Sequence, residues 1–286
     1  MRRVTIVVTV IIIAASIAVG VYFLSTQGGS QLDKSIGLPV TTSDMVSLQK
    51  VSDQPYGPTP SSAMQADVYQ YDGSQFVTNG KPTIVFIGAE FCPYCAVERW
   101  AIITALNRFG NFSSLHYTTS ANDEGDYASF TFVNSSYRSN YISFRPFEDE
   151  DRSGNALQTV PSNYSTVWGD FGNGFPFLDF GNTYVIKVSL LAFPDILTGQ
   201  NWTAILNDIS TSDATGLQIR QAANLITSVI CKVTGETPAA VCTAPPIESV
   251  TSAISGPTQG SLTFTGDVDQ APVQVPAWPL IHRRNG

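Results

Sequence analysis

The chain opens on Met1-Arg2-Arg3 and then runs from Val4 to Leu24, 21 residues without a charge. As a helix such a run is long enough to cross a hydrocarbon core of about 30 Å, so it reads as a membrane span. A cleaved signal peptide is the alternative, since Ala18-Val19-Gly20 offers a small-x-small site, but the apolar core of that class usually covers about 7–15 residues. Arg2 and Arg3 precede the span and the next basic residue is Lys34. That asymmetry leaves residues 1–3 in the cytoplasm and sends the rest across the membrane.

Beyond the span, residues 25–63 carry Gly28-Gly29, Pro39, Pro55, Gly57-Pro58 and Pro60 with little periodicity, a tether in which Met45 to Val51 has room for one short helix. Thr83-Ile84-Val85-Phe86-Ile87 is a β-branched run stopped by Gly88, the pattern of a strand covered on both faces. Pro93 suits a first helical position, Ala96 to Phe109 continue the helical spacing, and Gly110 is expected to cap it. Leu115 to Thr118 then reads as the second strand of a β-α-β unit. Phe130–Val133 and Tyr141–Phe144 look like strands joined through 134–136, and Glu148-Asp149-Glu150-Asp151 like a solvated turn. Pro176–Phe180, Gly181-Asn182 and Thr183–Ile186 form a hairpin signature, and helices are expected over 202–209 and 214–232. The expected organisation is therefore a folded domain over 64–245, with an insertion at about 120–174 and an extended tail over 246–286.

Composition narrows the function. Charged residues make up 13% of the chain and the net charge is −8, so no basic stripe is present to neutralise a phosphate backbone and nucleic acid is excluded as a partner. The polar residues are mostly uncharged, as in many exported proteins. Asn-x-Ser/Thr sequons at Asn111, Asn134, Asn163 and Asn201 fit that setting without proving it.

The 4 cysteines are an even set in a compartment where disulfides persist. Cys92 and Cys95 are separated by Pro93-Tyr94 at a helix start, where the helix terminus favours a thiolate on the first cysteine. Cys92 is thus the expected nucleophile and Cys95 the residue that resolves a mixed disulfide. A zinc half-site and an inert local disulfide are the alternatives. The first lacks ligands, because Cys231 and Cys242 have the wrong spacing and the histidines are His116 and His282. Cys231 and Cys242 themselves are expected to form a structural disulfide. No metal or cofactor is expected.

The run Thr83 to Cys95 resembles the active-site strand, turn and helix of the thioredoxin superfamily, with Pro-Tyr between the cysteines as in glutaredoxins. That resemblance implies a mixed α/β sheet with flanking helices and a large insertion before a strand opened by a cis-proline, which Pro176 matches. Phe175 and Pro176, with Pro93 and Tyr94, would then contact substrate, Phe175 through its backbone. The buried acid of ordinary thioredoxins falls at Phe86 and the tryptophan before the nucleophile at Phe91, so Glu90, Glu98 and Arg99 are the charges left to handle protons. The last two read more readily as a solvated pair on a helix surface than as catalytic groups. From about Met45 to Cys242 the chain more closely resembles the membrane-anchored, thioredoxin-like family known as domain of unknown function 929. The matching pieces are 88–100, 175–182, 230–232 and 241–242.

The function implied is an extracytoplasmic, membrane-anchored thiol–disulfide oxidoreductase that exchanges disulfides with exported proteins and is served by a membrane redox partner. A Cu(I) metallochaperone using the same thiols, and a non-catalytic envelope interaction protein, are the alternatives. The direction of electron flow has no sequence signature.

Overall fold

The computed structural model describes residues 32–54, 56–211 and 213–254. The expected membrane span at 4–24 lies outside them, as does most of the expected tail. Among the described residues no helix is long and apolar enough to cross a membrane.

In chain order, α1 (Thr42–Ser52) and α2 (Ser62–Gln65) lead into β1 (Tyr69–Gln70), β2 (Val77–Thr78) and β3 (Lys81–Gly88). Helix α3 (Pro93–Leu106) follows, then β4 (Gly110–Thr119), β5 (Ala128–Ser139) and β6 (Ser143–Glu148). Next come α4 (Ser162–Asp170), β7 (Phe177–Phe180) and β8 (Tyr184–Ile186). Helices α5 (Trp202–Thr211), α6 (Ala214–Val233), α7 (Ala239–Cys242) and α8 (Pro245–Ala253) complete the series.

Strand β3 is the spine of a mixed sheet. It pairs in parallel with β6, Thr83 opposite Ser143 through Gly88 opposite Glu148, and antiparallel with β7, Ile87 opposite Phe177. Strands β8 and β1 extend the sheet beyond β7, and β2 pairs antiparallel with the first residues of β3. Asn79 and Gly80 make the β2–β3 turn with φ of 51° and 74°, both left-handed, as a two-residue hairpin of this hand requires.

Because side chains alternate along a strand, β3 feeds two cores. Ile84 and Phe86 join a large core with α3, α6, β4 and β5. Val85 and Ile87 join a smaller one on the opposite face with Val167 and Trp168 of α4, Phe177 and Val185. Helices therefore cover both faces of β3, which is why its hydrophobic run is continuous rather than alternating.

Several expectations are corrected. The parallel partner of β3 is β6, not Leu115–Thr118. Those residues belong to β4, which pairs antiparallel with β5 in a separate two-stranded sheet. The segment inserted between α3 and the sheet is thus the β4–β5 hairpin, and much of 120–174 supplies β6 and α4 to the main framework. Strand β5 runs through Asn134, which takes φ 56°, so the joint expected at 134–136 falls at 140–142 and the second expected strand begins at Ser143 as β6. Helix α3 ends at Leu106 with Asn107 as its cap. Gly110 instead opens β4, where an added Cβ would lie 2.1 Å from the Arg138 carbonyl oxygen. Hydrophobic spacing alone did not distinguish these outcomes, since a bulged strand loses its period of two.

Both ends of the domain are also better packed than expected. Helix α1 buries Leu48 and Val51, and Asn224 of α6 donates to the carbonyls of Tyr56 and Pro58, so the supposed tether is built onto the domain. Residues 246–253, expected to be extended, lie in α8, which buries Ile247 and Val250.

Candidate functional site

The site grows from the end of β3. The chain leaves the sheet at Gly88, turns through 89–91, and enters α3 with Cys92 as N-cap and Pro93 in the first turn. Proline has the φ of a helix and no N–H that would go unsatisfied there. The Cys92 side chain does what a capping serine does: its Sγ accepts a hydrogen bond from the Cys95 amide at 3.2 Å. Both thiols are free.

On the neighbouring strand the Phe175-Pro176 peptide bond is cis, as the resemblance implied. Pairing of Ile87 with Phe177 brings the residues just before β7 alongside the turn that leads to the cysteines. Phe175 consequently packs on the cluster of Ala89, Cys92 and Cys95, together with Phe91 and Tyr94. Of the four expected contact residues, Tyr94 and Phe175 pack on this cluster, and Pro93 and Pro176 are their neighbours along the chain.

Cys92 was expected to be reachable, and here it is not: its relative exposure is 0%, as is that of Cys95. Phe91 and Phe175 meet edge-on with ring centroids 6.4 Å apart, and Phe175 stacks on Trp168 at 5.4 Å. Trp168 is fixed in turn by its indole N–H, which donates to the Gly174 carbonyl at 2.9 Å. An aromatic cover, held from α4, closes the site.

Beneath the thiols lies a buried ion pair. Arg99, one helical turn after Cys95, donates through Nε and Nη2 to the two carboxylate oxygens of Glu148 at 3.0 and 2.6 Å, and through Nη2 to the Ala89 carbonyl at 2.9 Å. Glu148 also accepts from the Phe132 amide. Both side chains have 0% exposure. Arg99 was expected on a solvated surface with Glu98, and Glu148 in a solvated turn. Both expectations fail because every α3 residue except Tyr94 is buried, so charges on it must find partners inside.

Glu98 finds its partners elsewhere. It is buried too and accepts from Ser189 Oγ and the Leu190 amide at 2.9 and 2.8 Å, its second oxygen unpartnered. Burial, opposed by those hydrogen bonds, pushes its carboxyl up to about 7. Glu90, on the turn between β3 and α3, is raised by burial against a hydrogen bond with Thr131. Of the three charges considered for proton handling, Arg99 acts on both thiols, Glu90 lies by Thr131 and the Arg99–Glu148 pair, and Glu98 faces the 189–190 loop.

The two thiols are driven apart in acidity. Burial opposes the Cys92 thiolate, but hydrogen bonds from the Cys95 thiol and amide, the Arg99 charge and the Tyr94 amide outweigh it and hold its pKa below the ordinary thiol value. Burial and the adjacent Cys92 sulfur push Cys95 well above that value. The arrangement favours ionisation of the sulfur at the helix start, with the neighbouring thiol as its hydrogen-bond donor. Phe86 stands beside Cys95, and the pair is close enough to Gly88 that a Cβ there would lie 2.3 Å from the Phe86 ring and 3.3 Å from the Cys95 sulfur.

Cys231 and Cys242 form a disulfide with Cα atoms 5.6 Å apart, joining the end of α6 to α7 as expected. Sequence reasoning missed Glu148 and Trp168. The first was masked by the Asp149-Glu150-Asp151 run that follows it, and the second had no signal beyond being tryptophan. Among the described residues no group of three or more His, Cys, Asp or Glu is placed to hold a metal ion.

No curated protein and no solved structure matches the chain. A family model does, over residues 67–232, a stretch that runs from just before β1 almost to the end of α6 and takes in both thiols, Glu148 and the cis-proline. The chain belongs to the family described as Domain of unknown function (DUF929).

Proposed function

We propose that the chain is a thioredoxin-like thiol–disulfide oxidoreductase, anchored by the apolar segment 4–24 and working on exported proteins outside the cytoplasm. The observation that carries this reading is the Cys92–Cys95 pair itself: free thiols at the start of a helix, opposed acidities, and a cis-proline strand alongside. The strand arrangement supports it, since β6 runs parallel to β3 after α3, and β7 and β8 follow antiparallel with α6 behind them. The Cys231–Cys242 disulfide supports an oxidising compartment.

In the reductive direction the Cys92 thiolate attacks one sulfur of a substrate disulfide. A Cys92–substrate bond forms, the substrate S–S bond breaks, and one substrate sulfur departs as thiolate. Cys95 gives up its proton to that departing thiolate and attacks the Cys92 sulfur. The Cys92–Cys95 bond then forms, the mixed disulfide breaks, and the second substrate sulfur leaves as thiolate. The substrate gains two electrons and the cysteine pair loses two. Oxidation is the same sequence reversed.

Access requires the aromatic cover to swing aside, so a substrate that displaces Phe175 would meet Cys92 and the Phe175 backbone together. The test is trapping. Full-length Cys95→Ser protein should accumulate mixed disulfides through Cys92, Cys92→Ser should accumulate none, and the unmodified chain should turn over an insulin-type disulfide. Stoichiometric Cu(I) uptake with no turnover and no trapped adduct would replace this reading with the metallochaperone.

A further inference from the structure

The Arg99–Glu148 pair sits where nothing in the fold demands a charge. Buried ion pairs contribute little net stability compared with apolar residues of the same volume, so one held this rigidly needs another reason. Its placement supplies one. Arg99 follows Cys95 by one turn on the same helix face, and Glu148 ends β6 directly opposite Gly88, the residue whose missing Cβ leaves room for the Cys95 sulfur. The guanidinium lies over the Phe86 ring at 5.7 Å and is tied to the Ala89 carbonyl, in the same cluster as both thiols. Three of its contacts are fixed by Nε and Nη2, while Nη1 is buried without a partner.

We propose that Arg99, clamped by Glu148, is a positioning residue that supplies the fixed positive charge beneath the cysteine pair, stabilising the thiolate on Cys92 in the reduced pair and on Cys95 during resolution of the mixed disulfide. This rests on the redox reading of the pair. The charge is reversed in kind from a buried acid: instead of taking a proton from the resolving thiol, it lowers the cost of the anion that remains once the proton has gone. The guanidinium cannot deprotonate, so it is no acid or base here, and the proton travels to the departing substrate thiolate. Glu148 has two tasks: it neutralises Arg99 when both cysteines are protonated or joined, and it keeps the guanidinium from turning toward Glu90. Arg99 from α3 is the charged side chain acting on the thiols, and Glu148 from β6 and Glu90 from the turn after β3 lie around its guanidinium. Arg99 acts favourably on both thiolates, and no acid in the set outweighs it.

The experiment reads the thiols directly, as the pH dependence of alkylation by iodoacetamide in the reduced, full-length chain. The variant Arg99→Met/Glu148→Gln removes both charges and should raise the Cys92 midpoint by about one pH unit, the scale of a nearby charge, with resolution of a trapped adduct roughly tenfold slower. Glu148→Gln alone leaves Arg99 uncompensated and should move the midpoint the opposite way. A purely structural pair would shift both variants in one direction or neither, and that result overturns the proposal. If the double variant does not fold, Glu148→Gln decides alone: a lower midpoint supports the charge role, and an unchanged or higher one ends it. Normal turnover with unmoved midpoints defeats this inference and spares the oxidoreductase. Opposite shifts in a chain that turns over no disulfide do the reverse.

Discussion

Phe91 and Phe175 meet edge-on at 6.4 Å over a Cys92 side chain with 0% exposure, so a thiol of lowered pKa is sealed under two aromatic rings. Ionisation and access are separate properties here. The first is set by the helix start and its neighbours, and the second by rings that come from two different segments.

Removing one ring should separate them. Phe175→Ala deletes a half-buried side chain stacked on Trp168, at a cost of about 1–2 kcal/mol in stability, less than for a fully buried phenylalanine. Alkylation of Cys92 at a fixed pH should accelerate roughly tenfold, the equivalent of about 1.4 kcal/mol in the opening equilibrium. Its pH midpoint should fall, because the groups that lower the pKa remain while the burial that opposes the thiolate is relieved. An unchanged rate would mean that the cover opens elsewhere.

Gly88 is the second position with a sharp expectation. A methyl at this residue would meet the Phe86 ring at 2.3 Å and the Cys95 sulfur at 3.3 Å, both in close-packed surroundings. Gly88→Ala should cost about 1–3 kcal/mol, the usual range for overpacking, measured as a lower urea midpoint with unchanged slope. It should also slow resolution by Cys95 more than attack by Cys92, since only the former sulfur is crowded.

How far the sequence carried depended on whether the physics was local. Strand β3, the start of α3 at Pro93, and the hairpin around Gly181-Asn182 were legible because a β-branched run, a proline at a helix start and two turn residues each act within a few positions. At 181 and 182 the chain takes φ of 66° and 60°, and Asp179 accepts the Asn182 amide. The pairing of β4 with β5 was not legible, because an irregular antiparallel ladder has the same composition as two unrelated strands. Arg99 and Glu98 misled for a different reason. Adjacent charges on a helix usually mean solvent, but their partners lie 49 residues away at Glu148 and 91 away at Ser189.

The Cys231–Cys242 bridge makes a prediction independent of the thiol pair. It closes a short loop of sequence separation 11, and restricting the unfolded chain to that extent is worth about 2–3 kcal/mol. Cys231→Ser/Cys242→Ser should lower the unfolding free energy by that amount, read as a lower urea midpoint. Trapping through Cys92 in a Cys95→Ser background should persist, and its loss would give the bridge a part in the exchange itself.

Stability should also fall as pH rises from mildly acidic values, against the usual behaviour of buried carboxylates in ion pairs. Glu98 is pushed up by burial to about 7 from 4.5, and Asp179 by burial to about 7 from 3.8, each only partly offset by hydrogen bonds. Between those values the native state holds protons that the unfolded chain has lost, so the unfolding free energy decreases with pH. The contribution is complete below the unfolded carboxylate values, is lost progressively up to about pH 7, and is flat above. Glu98→Gln keeps a carbonyl acceptor for Ser189 and the Leu190 amide while removing the titration, and Asp179→Asn does the same for Asn182. The wild-type urea midpoint should therefore be higher at pH 5 than at pH 8. Each variant should flatten the underlying difference in unfolding free energy by an amount on the order of 1–3 kcal/mol. The two effects should add, because Glu98 and Asp179 share no partner. A midpoint that rises from pH 5 to pH 8 in the wild type, and still rises in both variants, would place these carboxylates in contact with water that the buried geometry does not provide.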